Sequence, residues 1–131
     1  MAGWLSRADH AASAEQIETL KAICPIELPA SYLALLAESD GAEAGLSVDP
    51  LWLVIYDAAE VIEIATSGAF AAHFPGHFLF GDSGGADAFA FVTLGNEAGQ
   101  IVTIEVGATD EAAKIRPVAD SFDALLALID T

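Results

Sequence analysis

Basic residues are almost missing from this chain. Its 131 residues include 4 Lys and Arg against 20 Asp and Glu, for a formal net charge of −16 at pH 7. No lysine or arginine stands between Lys21 and Lys114, whereas fourteen acidic residues do. A surface of that sign repels a phosphate backbone, so the expected partner is a positively charged protein and not nucleic acid. Cysteine is nearly absent as well. The single Cys24 cannot close an internal disulfide, which makes the reducing cytoplasm the expected compartment. Long apolar runs are also lacking. The longest, Leu51–Tyr56, falls far short of the ~20 residues of a membrane-spanning helix. The amino terminus carries one arginine and no continuous apolar stretch, so it does not read as a secretory signal, and no membrane partner is expected.

What remains is strongly apolar. Hydrophobic residues make up 54 % of the chain, which excludes disorder despite the charge. Alanine supplies much of that fraction, so the core is expected to rest on Leu, Ile, Val and Phe. The length fits one domain, with residues 1–12 read as a partly ordered arm and 13–131 as the folded unit.

Ser13 followed by Gln16 has the form of a capping box, and Ile17, Leu20 and Cys24 then fall on one helical face until Pro25 interrupts it. A second helix is predicted from Leu28-Pro29, with proline at the first helical position, a stripe of Tyr32, Leu35 and Leu36, and Gly41 as terminator. Residues 42–49 read as a polar bend, and 51–56 as a strand buried on both faces. Asp57 and Glu60 mark the start of a short helix through Val61, Ile62 and Ile64, and residues 66–76 read as loop. A strand at 77–80, a glycine turn at 81–85 and a hairpin of 87–94 with 100–106 follow, Val102, Ile104 and Val106 sharing one face. Asp120 or Ser121 caps a final helix striped with Phe122, Leu125, Leu126 and Ile129. Strands and helices do not alternate regularly, so the expected class is α+β, with an antiparallel-rich central sheet flanked by helices.

Several local patterns suggest chemistry and do not sustain it. Gly81-Asp82-Ser83-Gly84-Gly85 spells the surroundings of a trypsin-like serine, and Ala71-Ala72-His73 echoes the matching histidine segment. That catalytic geometry needs two β-barrels, and here Ser83 and His73 are ten residues apart in a short chain. A tight turn with Asp82 or Ser83 bonded to the backbone is the simpler reading. His73 and His77 have the spacing of a helical metal pair, but Pro75 and Gly76 between them break the shared face. Asp82 and Asp87 bracket the turn without the pattern of a calcium loop, and no acid is singled out for glycoside chemistry. Cys24 has no adjacent base and reads as structural. The glycines match neither phosphate-binding fingerprint, and the aromatics lack the basic neighbours of a nucleic-acid platform. No catalytic residue, metal or cofactor is expected.

Ile17-Glu18 in a first helix, Leu28-Pro29-x-x-Tyr32-x-x-Leu35-Leu36 closing on Asp40-Gly41, Phe78-x-Phe80-Gly81-Asp82 with Gly84-Gly85, and Ser121-Phe122-x-x-Leu125-Leu126 together resemble the SUKH superfamily, named for the yeast cell-wall regulator Smi/Knr and its bacterial relatives. The likeness runs from about residue 13 to 129. Asp40 stands where Asn is common, and Leu35 where an aromatic residue is. The resemblance implies an α+β fold with an antiparallel sheet and a non-catalytic role. Bacterial members resemble immunity proteins that neutralise toxins, many of them nucleases, by stoichiometric binding. It also points to the acidic end of the second helix and the turn around Asp82 as contact regions. Glu38, Asp40, Glu43, Asp82 and Asp87 are the expected charged contacts with a cationic toxin domain, and Trp52 the expected anchor. The alternative is a regulatory or scaffold module, in the form of a homodimer, with no toxin partner. A small-molecule enzyme would require a deep pocket with convergent polar groups.

Overall fold

The computed structural model describes residues 4–105 and 115–129. Trp4–Arg7, placed by the sequence in a loose arm, forms the edge strand β1; Met1–Gly3 lie outside the described residues. Ser13 caps α1 (Ala14–Ile23) through a complete capping box. Its hydroxyl accepts from the Gln16 N–H, and the Gln16 side chain accepts from the Ser13 N–H. In α2 (Ala30–Glu38), Pro29 is the N-cap, one position outside the helix expected to begin on it, and Tyr32, Leu35 and Leu36 are buried.

Ala42–Gly45, expected as a bend, is strand β2 and pairs with β1 (Trp4↔Ala44, Arg7↔Ala42). Its period of two is real, with Ala42 and Ala44 buried and Glu43 and Gly45 half-buried, but alanine and glycine give that alternation little contrast in a sequence. β3 (Trp52–Ile55) buries Leu53 and Ile55 and leaves Trp52 and Val54 half-covered, so only one face is core, not both. Asp57 caps α3 (Ala58–Ser67), accepting from the Glu60 N–H at 2.8 Å. The expected loop 66–76 is instead the end of α3, a left-handed Gly68 and the short helix α4 (Ala69–His73).

β4 (His77–Asp82) runs two residues past its expected end. It meets β5 (Asp87–Val92), which continues as a hairpin into β6 (Ile101–Glu105). Val106, assigned to that last strand, lies outside the described residues. β7 (Ile115–Ala119) was not foreseen, since Pro117 discourages a strand; it is accommodated because β7 is the other edge of the sheet. Ser121 caps α5 (Phe122–Leu126), accepting from the Ala124 N–H, and Ile129 leaves the helix to bridge Leu46.

The seven described strands form one antiparallel sheet in the order β1 to β7, an α+β fold. Buried residues of α1, α2, α3 and α5 pack on the face that carries Leu53, Ile55, Phe80, Phe89 and Phe91. At the centre, the Tyr32 ring stands edge-on to Phe80, Phe91 and Phe122 at 5.8, 5.5 and 5.3 Å. Fully burying each such ring contributes about 1.5–3 kcal/mol, which offsets the cost of enclosing a Tyr32 hydroxyl that has no hydrogen-bond partner among the described residues.

β3 and β4 meet through only two residue pairs, Val54↔Asp82 and Ile55↔Gly81. Gly81 makes that contact possible, because a Cβ there would overlap the Val54 carbonyl oxygen. Gly81→Ala is therefore expected to lower stability by about 1–3 kcal/mol or more, read as a lower urea midpoint. An unchanged midpoint would contradict this close approach.

Candidate functional site

The sheet face turned away from α1, α2 and α5 carries polar and acidic residues across β2, β3 and β4. The register places Glu43 opposite Val54 and Val54 opposite Asp82, so the two carboxylates flank one half-buried valine. Two residue pairs along, Trp52 faces Gly45 and its indole N–H donates to Glu43 Oε1 at 3.2 Å. Asp82 is fixed from two sides. Its Oδ2 accepts from the Tyr56 hydroxyl at 2.6 Å, and its Oδ1 accepts from the Gly84 N–H at 2.8 Å. The second bond, with Gly85 N–H donating to the Ser83 hydroxyl, is the tight glycine turn that the sequence suggested.

Beside this row lies a shallow hollow of about 270 Å³, whose walls include Arg7, Glu43, Val54, Tyr56, Asp57 and Glu60. Among the described residues, Arg7 is the one Lys or Arg lining it, and its guanidinium is turned to Glu38 Oε1 at 3.3 Å. Burial pushes the Tyr56 phenol well above its ordinary value, and the bond to Asp82 and the charges of Asp82 and Glu60 push the same way. The phenol therefore stays a donor. Glu60 is also pushed up, first by partial burial of its carboxyl and then by Asp57, Asp82 and Glu63. Asp57, Asp82 and Glu63 thus add a negative field at Glu60.

Of the six residues picked out by sequence, Glu43, Trp52 and Asp82 come together on this face. Glu38 sits at the rim through its pair with Arg7. Asp40 lines the hollow from beneath but is buried. Its Oδ1 accepts from the Ala58 N–H at 2.7 Å and ties the end of α2 to the start of α3, so this carboxylate holds the fold. His10 Nε2 approaches its other oxygen at 3.6 Å. Asp87 stands apart, at the start of β5 opposite Glu105. Sequence reasoning missed Tyr56, and it read Asp57 and Glu60 only as a helix start. A hydrogen bond spanning 26 positions, from Tyr56 to Asp82, leaves no local signature.

Nothing in this arrangement assembles a nucleophile with a base. The Ser83 hydroxyl is used by Gly85, and the His73 ring is hydrogen-bonded to the Ala69 carbonyl. Burial pushes the Cys24 thiol up, away from the reactive thiolate. Among the described residues, no three His, Cys, Asp or Glu side chains are grouped to hold a metal, and no helix is long and apolar enough to cross a membrane.

The raised Glu60 value carries a consequence for pH. A carboxyl that binds its proton more tightly in the folded state adds stability that is complete below the ordinary glutamate value and is lost as pH rises through the raised one. By NMR titration the Glu60 carboxyl carbon should titrate above the ordinary range and move down in Asp82→Asn. No movement in that variant would mean that the Asp82 charge does not reach it.

No curated protein matches the chain. A family model does, over residues 11–128, which takes in every helix and all of the sheet except β1. By that match the chain belongs to the SMI1 / KNR4 family (SUKH-1).

Proposed function

We propose that this protein is an immunity-type binding module that neutralises a cationic toxin domain by stoichiometric attachment, without catalysing a reaction. The family supplies the class of role, and the outer face of β2, β3 and β4 supplies the surface. The observation that carries the reading is the hollow at Glu43, Tyr56, Asp57 and Glu60, where burial and then the neighbouring carboxylates raise the proton affinity of Glu60 and the lining arginine is already engaged. A fold gains nothing from such crowding; a positively charged partner relieves it. Nuclease active sites are basic because they hold phosphates, so a nuclease toxin fits this description. Trp52 and Tyr56 add half-buried aromatic area of the kind that anchors interfaces. Long-range attraction of this sort raises association to ~10⁸–10⁹ M⁻¹s⁻¹ at low salt, against ~10⁵–10⁶ M⁻¹s⁻¹ for a neutral pair.

The test begins with the product of the adjacent gene, which this reading expects to be a toxin, made as an inactive domain. Association should slow steeply with ionic strength. The triple variant Glu43→Gln, Glu60→Gln, Asp82→Asn should slow it about 10-fold or more at low salt, whereas Glu18→Gln with Glu97→Gln should leave it unchanged. Equal rates for the two variants would refute the assignment of this face, and failure of the neighbour's product to bind at all would count against immunity.

A further inference from the structure

Five large apolar side chains are exposed among the described residues. Leu5, Leu94 and Ile115 stand singly, on β1, in the β5–β6 loop and on β7, and scattered residues of this kind carry no message. Val48 and Leu51, 38 % and 57 % exposed, share one turn instead. It joins β2 to β3, with the Leu51 N–H donating to the Val48 carbonyl at 2.8 Å and the Leu46 N–H to the Leu51 carbonyl at 2.9 Å.

Two observations set this turn apart. Leu51 has φ 72°, and among the described residues it is the one residue other than glycine with positive φ. That conformation crowds a Cβ against the backbone, and glycine takes it without strain. Burial recovers little of the strain, because most of the Leu51 side chain stays in water. The turn is also firmly held. The Ser47 N–H and hydroxyl both donate to the Leu128 carbonyl, at 2.8 and 3.1 Å, and Leu46 bridges Ile129. A strained, well-held turn that displays apolar side chains suits a contact outside the chain.

Its position says which contact. Trp52, the next residue, donates to Glu43, and a Cβ at Gly84 would lie 3.6 Å from its indole ring. The Gly84 N–H in turn holds Asp82. The turn therefore continues the acidic row at the end of the β2–β3 hairpin. Apolar anchors beside complementary charge are how one partner is gripped.

We propose that Val48 and Leu51 are the apolar anchor of the docking face, and that the partner is a positively charged protein with an apolar recess beside its basic surface. The inference rests on the reading of the acidic face given above and adds a division of labour to it. Charge on the row sets how fast the two proteins meet, and the turn sets how long they stay together.

The experiment uses the full chain, the inactive product of the adjacent gene, and the variants Leu51→Gly and Val48→Ser with Leu51→Gly. In the free protein Leu51→Gly should leave the melting temperature unchanged or raise it, since glycine relieves the positive φ. In the complex the double variant should speed dissociation about 10-fold or more, yet change association by less than about 2-fold at each salt concentration, because no charge is altered. A lower melting temperature in Leu51→Gly would show that the side chain serves the fold and would refute the proposal. Unchanged dissociation, with the Glu43, Glu60 and Asp82 triple variant still slow to associate, would overturn the anchor and leave the docking face standing. Failure of the unaltered chain to bind would remove the docking face and the anchor with it. Sedimentation of the chain alone tests the other occupant, a second copy. Self-association that Leu51→Gly abolishes would assign the turn to contact between copies and would likewise overturn the proposal.

Discussion

The approach of β4 to β3 at Gly81 is the constraint from which the functional surface follows. Two residue pairs join these strands, and the Gly81 backbone lies too close to the Val54 carbonyl for any side chain to fit between. That contact places Asp82 across from Val54 and within reach of the Tyr56 hydroxyl, completing a row that begins at Glu43. Where the pairing stops, the sheet opens, and α3 and α4 lie along the other half of β4. The acidic row thus depends on one short junction.

The acidic residues divide into two groups by what they do. Asp57 and Asp40 are consumed by backbone N–H groups, the first capping α3 and the second bonding the α3 residue Ala58 from the end of α2. Those charges stabilise the fold. Glu43, Glu60 and Asp82 bring like charges together on one surface, and at Glu60 burial and then the neighbouring carboxylates make ionisation harder. Glu60 sits in the first turn of α3, where the helix N-terminus partly favours its charge, so the local cost is tolerable. A surface of this kind is specific for what can approach it: cations are drawn in, and phosphate is repelled.

The sequence revealed those elements whose signals are local. The capping box at Ser13, the Asp57 cap, the Tyr32, Leu35 and Leu36 stripe and the β5–β6 hairpin all depend on residues within a few positions of one another. β2 was hidden because its buried positions are alanines, β7 because of Pro117 at a sheet edge, and α4 because a glycine stands on either side of a helix of five residues. The site was legible in part for the same reason. Glu43, Trp52 and Asp82 could be named from charge and aromaticity, but the register that groups them joins strands nearly 40 positions apart in the chain. Burial of Asp40 and the bond from Tyr56 to Asp82 are tertiary facts with no trace in composition.

The proposed docking requires a negative potential concentrated on the outer face of β2, β3 and β4, and that potential can be measured without any partner. Paramagnetic relaxation from paired cationic and anionic nitroxide probes reports it amide by amide. The predicted result is a ratio of cationic to anionic enhancement at Glu43, Val54, Tyr56 and Asp82 well above the average for the chain. A ratio there equal to that average would show the charge to be spread evenly, and the proposed docking of a cationic protein on this face would lose its physical basis.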